Sequence, residues 1–87
     1  MSVPNYEIRI TRRAEKDIKK LGPRLKQKLF DILTEVIARD PFHGKKLIGD
    51  LSGSYSYRLT YQDRMVYSIN QQKRIIYLER ARTHYGD

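Results

Sequence analysis

Apolar and charged residues alternate through Tyr6-Glu7-Ile8-Arg9-Ile10, the pattern of a strand with one buried face. Thr11 can then N-cap a helix whose apolar positions, Ala14, Ile18 and Leu21, recur at helical spacing. Leu21-Gly22-Pro23 breaks that helix, with Gly22 expected at its C-cap and Pro23 opening the next element. In the second helix Leu25, Leu29, Ile32, Leu33, Val36 and Ile37 form a broad apolar stripe, which Asp40-Pro41 ends. Two stripes of this kind are core: each must cover something apolar. From Phe42 to Gly53 the pattern dissolves into a basic loop with irregularly spaced glycines and no phosphate-binding fingerprint. Alternation returns in Tyr55–Thr60, in Arg64–Ile69 after a short turn at Gln62-Asp63, and from Arg74 to about Arg82 after Asn70–Lys73. The order β-α-α-β-β-β predicts one α+β domain over residues 1–87. Its two N-terminal helices pack on one face of a small twisted antiparallel sheet.

Side-chain alternation also sorts candidate chemistry. Tyr55, Tyr57 and Leu59 share one face, and Ser56, Arg58 and Thr60 the other. In the next strand Met65, Tyr67 and Ile69 point inward and Arg64 outward. Arg58 and Arg64 therefore flank one hairpin and converge on the face opposite the helices. The last strand has ambiguous parity, because Ile75 and Ile76 are both apolar. If Arg80 and Arg82 point the same way as Arg58 and Arg64, four guanidinium groups line one concave face. His84 and Tyr85 follow directly. Histidine titrates nearest neutrality and guanidinium groups bind phosphate, so this ending suits phosphodiester cleavage.

Charge sharpens the picture. The 87 residues carry a formal net charge of +8, an excess that points to a polyanionic partner. Residues 1–50 hold 12 Lys/Arg against 7 Asp/Glu and favour Lys; residues 51–87 hold 6 against 3 and are nearly all Arg. The Lys-rich half reads as a solvated surface, the Arg-rich half as a site. Cysteine is absent, which excludes disulfides and thiolate metal sites and suits a reducing cytoplasm. No signal-peptide region is legible, and no apolar run approaches the ~20 residues of a membrane span. His43 has no carboxylate cluster at ligand spacing, and the serines lack a nucleophile-elbow context, so neither metal nor cofactor is expected.

These residues carry a family resemblance. Leu51–Thr60 and Asp63–Tyr67 resemble the YoeB/Txe branch of the RelE toxins, within the RelE/ParE superfamily. Arg82-Thr83-His84-Tyr85 is similar to that branch's ending, Asp40–Lys45 to its loop after the second helix, and Lys46–Gly49 to RelE itself. The resemblance implies the toxin of a type II toxin–antitoxin pair, a metal-independent endoribonuclease that cuts mRNA in the ribosomal A site. The 2′-OH attacks the adjacent phosphorus. On this carry-over Arg64 stabilises the charge on the phosphate, His84 protonates the leaving 5′-oxygen, and Tyr85 orients or stacks on the substrate. Arg58, Arg82, Lys46 and Arg80 bind it. The implied partners are an acidic cognate antitoxin, the 30S A site and mRNA, with no membrane. The YoeB-like glutamate base has no counterpart here, where Lys45-Lys46 stands, and RelE's strand lysines are replaced by Ser56 and Arg58. The base is left open among His84, Lys46 and catalysis by positioning and charge alone, with Glu79 a weaker candidate. Two other functions fit the same features: a ParE-like inhibitor of DNA gyrase, and a noncatalytic RNA- or ribosome-binding module.

Overall fold

The computed structural model describes residues 5–47 and 53–83, and their side chains except those of Arg82 and Thr83. The chain order is β1 (Glu7–Ile10), α1 (Arg12–Lys19), α2 (Pro23–Ile32), a π-helical turn (Leu33–Ile37), a 3-10 turn (Pro41–His43), β2 (Lys45–Lys46), β3 (Ser54–Arg58), β4 (Asp63–Asn70) and β5 (Ile75–Thr83). The strands form one sheet in the order β1-β5-β4-β3-β2. The expected α+β arrangement of two helices on a small sheet is what the chain adopts.

Two details of the sheet differ from expectation. The sheet is mixed: β1 runs parallel to β5, from Glu7 opposite Ile75 to Ile10 opposite Leu78. The hairpins force β3, β4 and β5 to be antiparallel. No turn links β1 to β5, so nothing local sets that direction. The sheet also gains a fifth strand, because Lys45-Lys46 pairs with Ser56 and Tyr55 at the open edge of β3.

Thr11 caps α1 as the sequence predicts: its hydroxyl accepts the Ala14 N–H at 3.2 Å and donates to the Glu79 carbonyl at 3.3 Å. The cap therefore also ties α1 to the last strand. Gly22 is the N-cap of α2 rather than the C-cap of α1, and its φ of −68° needs no glycine. Lys20 closes α1 instead, its N–H bonding to the Asp17 carbonyl while the Leu21 N–H bonds to that of Ile18. The second helix widens at Leu33–Ile37, where the Ala38 N–H reaches back to the Leu33 carbonyl at 2.8 Å. That wider turn keeps Leu29, Leu33 and Ile37 all buried.

The core lies between the helices and one sheet face. Ala14, Ile18, Leu29, Leu33 and Ile37 pack there against Leu59, Met65, Tyr67, Ile76, Leu78 and Ala81. Of the other stripe residues, Leu25, Ile32 and Val36 pack at its margin, as do Tyr55, Tyr57 and Ile69. In β5 the register slips by one residue: Tyr67 faces Leu78, but Val66 faces Arg80. Glu79 is the extra residue of this bulge. It restores Ala81 to the core face, where it pairs with Met65.

Candidate functional site

The face opposite the helices holds the candidate site. In antiparallel pairs, residues directly across from one another share a face. Arg58 pairs with Arg64, and Arg64 with Arg82, so three arginines occupy one row of backbone positions across β3, β4 and β5. Arg58 and Arg64 are exposed and converge as strand alternation predicts. The turn between them is held locally. Thr60 donates its hydroxyl to the Asp63 carboxylate at 2.6 Å, while the Leu59 and Thr60 N–H groups bond to the Asp63 carbonyl. The two arginines are thus presented from a braced hairpin rather than a loose one.

Beside this pair lies a hollow of ≈ 150 Å³ lined by Lys45, Ser56, Arg58 and Arg64. Among the described residues no carboxylate lines it. A cavity of about this size accepts a six-carbon ring, so a phosphodiester group fits in outline. Ser56 forms the floor: it is buried, small and polar.

The lysine in this hollow is not the expected one. Lys46 pairs with Tyr55, whose parity belongs to the helix face, whereas Lys45 pairs with Ser56. A two-residue strand at a sheet edge has too little alternation to reveal its own register, and the signal that could have found Lys45 lies in its partner strand. Sequence reasoning also passed over Ser56 as part of the site.

Lys45 arrives through a specific support. The Tyr67 hydroxyl donates to the Pro41 carbonyl at 2.7 Å and accepts the Gly44 N–H at 3.1 Å. Burial pushes the Tyr67 phenol up to about 12, opposed in part by the Gly44 N–H. Tyr55 stacks on Tyr67 with centroids 5.8 Å apart, and Phe42 meets Tyr55 edge-on at 5.9 Å. Gly44 passes so close that a β-carbon there would collide with the Tyr67 hydroxyl and lie 2.8 Å from the Ser56 carbonyl.

Arg80 stands apart from the arginine row. It pairs by register with Val66, yet its guanidinium Nε binds the Asp17 carboxylate of α1 at 2.8 Å. The same carboxylate accepts the Ala81 N–H at 3.1 Å. The hydrogen bond to Asp17 raises the Arg80 pKa above its usual value. The four-guanidinium face expected from sequence is therefore not assembled: Arg80 clamps β5 to α1, because β5 outruns β1 beyond Leu78 and α1 borders that edge. Glu79 accepts the Ser68 hydroxyl at 2.9 Å in a part-buried bond. His84 and Tyr85 lie outside the described residues, as does the side chain of Arg82. Among the described residues no group of three His, Asp or Glu could hold a metal ion, and no helix is long and apolar enough to cross a membrane.

The fold recurs in solved structures of toxins and toxin–antitoxin complexes. The chain matches a chain of the RelBE2 toxin–antitoxin complex from Mycobacterium tuberculosis at 28% identity and a TM-score of 0.85, covering 99% of this chain and 98% of that one. It matches a YoeB/ParE toxin from Agrobacterium tumefaciens at 26% identity and a TM-score of 0.79, over 91% of this chain and 99% of that one. The E. coli RelBE complex shares the fold at 23% identity and a TM-score of 0.76, over 90% and 95% of the two chains. No curated protein sequence matches. The family model described as the ParE-like toxin of type II bacterial toxin–antitoxin systems covers residues 8–86, the full span from β1 through the arginine row and beyond. The helix-backed sheet with its basic open face is thus that of a toxin, and the chain belongs to the ParE-like toxins of type II bacterial toxin–antitoxin systems, within the RelE/ParE superfamily.

Proposed function

We propose that this toxin is a ribosome-dependent mRNA endonuclease. The observation that carries the reading is the paired Arg58 and Arg64 beside a hollow lined by Lys45 and Ser56 on the helix-free face. Fixed cations around a phosphate-sized hollow suit a reaction in which negative charge builds on phosphorus. The substrate's 2′-oxygen bonds to the adjacent phosphorus, and the bond to the 5′-oxygen breaks. This leaves a 2′,3′-cyclic phosphate. Arg64 stabilises the charge on the phosphoryl oxygens, with Arg58 and Arg82 binding alongside. His84 is assigned the proton that reaches the leaving 5′-oxygen, since imidazole exchanges protons near neutral pH. The 2′-OH proton leaves to solvent water as the bond to phosphorus forms, while protonated His84 delivers its own proton to the 5′-oxygen, so the step balances without a glutamate. Tyr85 orients the substrate. Lys45 replaces Lys46 in the proposed binding set, and Arg80 leaves it for a structural role at Asp17.

The partner proposed in the resting state is an acidic antitoxin segment that covers this basic face. The RelBE2 and E. coli RelBE structures are toxin–antitoxin complexes, and the +8 charge of this chain favours an acidic cover.

Purified ribosomes programmed with a defined mRNA test the proposal directly. The expected result is cut mRNA within the A-site codon, with ends carrying cyclic or 3′-phosphate, and no cutting without ribosomes. Intact mRNA together with loss of DNA gyrase supercoiling would overturn it in favour of gyrase inhibition.

A further inference from the structure

The position of Lys45 and the support beneath it lead further, on the reading that the toxin acts on single-stranded RNA. We propose that Lys45 binds the phosphate neighbouring the one at Arg64, so that the substrate backbone crosses the sheet from β4 towards β2. Lys45 is a substrate-binding residue on this view, and Gly44 and Tyr67 are its positioning residues.

Sheet geometry gives the reason. Arg58 and Arg64 face each other on adjacent strands, so their backbone positions lie about 5 Å apart. Lys45 pairs with Ser56, two residues back along β3 from Arg58. From Arg64 it is therefore two strands across and two residues along. At ~4.8 Å per strand and ~3.3 Å per residue that is about 12 Å between backbone positions. Arg64 and Lys45 stand on opposite sides of one hollow, with Ser56 between them as its floor. Two cations so separated, with no carboxylate between them among the described residues, suit two successive phosphates of one strand. Arg58 sits between and can reach towards either.

The support distinguishes Lys45 from an incidental surface lysine. A two-residue edge strand has little intrinsic hold on its register. Here the register is imposed from outside. Buried Tyr67 bonds to both Pro41 and Gly44, and the Phe42-Tyr55-Tyr67 ring stack packs the loop against β3. Gly44 lets the backbone lie against Ser56, which delivers the very next residue to the rim of the hollow. Lys46, one residue further, has the opposite parity and serves as an internal control.

The experiment measures binding to a short single-stranded RNA with 2′-deoxyribose at the cleavage nucleotide, over a range of salt, and cleavage kinetics on programmed ribosomes. Each phosphate neutralised on a single strand contributes about −0.7 to the slope of log K against log salt. Lys45→Ala is expected to reduce the slope by about 0.7, and Arg64→Ala by the same amount independently, with the double variant losing both. On ribosomes Lys45→Ala should raise KM roughly five- to tenfold with kcat little changed, whereas Arg64→Ala lowers kcat. Lys45→Arg should restore both readouts, and Lys46→Ala should match wild type. Gly44→Ala keeps the ammonium group but displaces it, and should show the Lys45→Ala slope while still folded. A double variant no worse than Arg64→Ala alone would mean that both cations serve one phosphate, and would overturn the proposal. Wild-type slope and KM in Lys45→Ala would overturn it while mRNA cleavage itself stands. Absence of both RNA binding and cleavage in the wild type would overturn the functional reading along with it.

Discussion

Replacing Tyr67 by Phe removes one oxygen from the centre of the protein and tests the support of the site directly. The ring is fully buried. Its hydroxyl donates to the Pro41 carbonyl at 2.7 Å and accepts the Gly44 N–H at 3.1 Å. Pro41 is itself buried, so its carbonyl loses a partner without gaining water. Gly44 is half-exposed, and its N–H can turn to solvent. One buried orphan costs about 1–3 kcal/mol and a replaced bond about 0.5–1.5, so the sum is about 2–4 kcal/mol. In a domain of this size that lowers Tm by roughly 10–25 °C, within a total stability of about 5–15 kcal/mol. The fold should therefore survive at low temperature with the Lys45 loop loosened. The phenol's titration supplies a second readout. Its folded value of about 12 lies above the ordinary value of 10.0, chiefly because burial disfavours the phenolate. The neutral phenol therefore contributes fully below pH ~10, and that contribution is lost as pH rises through about 12, by about 2–3 kcal/mol. Wild type should lose stability more steeply than Tyr67→Phe across pH 10–12 in denaturant melts. A Tm within ~3 °C of wild type, with parallel pH curves, would refute the view that this hydroxyl holds the loop.

Arg64→Ala should lower mRNA cleavage by ~10²–10³ without changing Tm, since the side chain is exposed and its proposed task is charge stabilisation; a folded variant with wild-type rate would dismiss that role. Deleting residues 84–87 should abolish cleavage yet preserve the melting transition, because the buried core lies upstream, whereas deleting Gly86 and Asp87 alone should be mild; mapped mRNA ends and thermal melts decide between them. Asp17→Ala strips both Arg80 and the Ala81 N–H of their acceptor, and should cost about 2 kcal/mol in urea unfolding, with Asp17→Asn less harmful because it retains an oxygen acceptor. Equal stability of the alanine variant and wild type would show that β5 is not held through Asp17.

Much of this architecture was legible in the sequence because one rule sufficed for it. Strict alternation in residues 55–60 and 64–69 placed Leu59 and Met65 in the core and brought Arg58 and Arg64 together on the other face. Helical spacing likewise found Leu29 and Leu33. Reading failed where a distant contact overrides the local period. Lys45 and Lys46 are chemically identical neighbours, and only the pairing with Ser56 and Tyr55 separates them. Arg80 belongs to an arginine-rich run, and its capture by Asp17 depends on a residue 63 positions away. The parallel pairing of β1 depends on no turn at all, so no local motif announces it.

The extra residue at Glu79 has a consequence for how this chain tolerates change. Upstream of it, even-numbered residues of β5 such as Ile76 and Leu78 face the core; downstream, odd-numbered Ala81 does. The strand changes phase once, at a single residue. Substitutions at positions 79–82 alter one side chain at a time, but a change in length there decides whether the bulge exists at all. Removing Glu79 would leave Leu78 opposite Tyr67, Arg80 opposite Val66 and Ala81 opposite Met65, an unbroken alternation that keeps Ala81 in the core, whereas adding a residue here would enlarge the bulge or turn Ala81 to solvent. The bulge therefore buffers the length of this stretch against the loss of one residue, a tolerance that no single side chain carries.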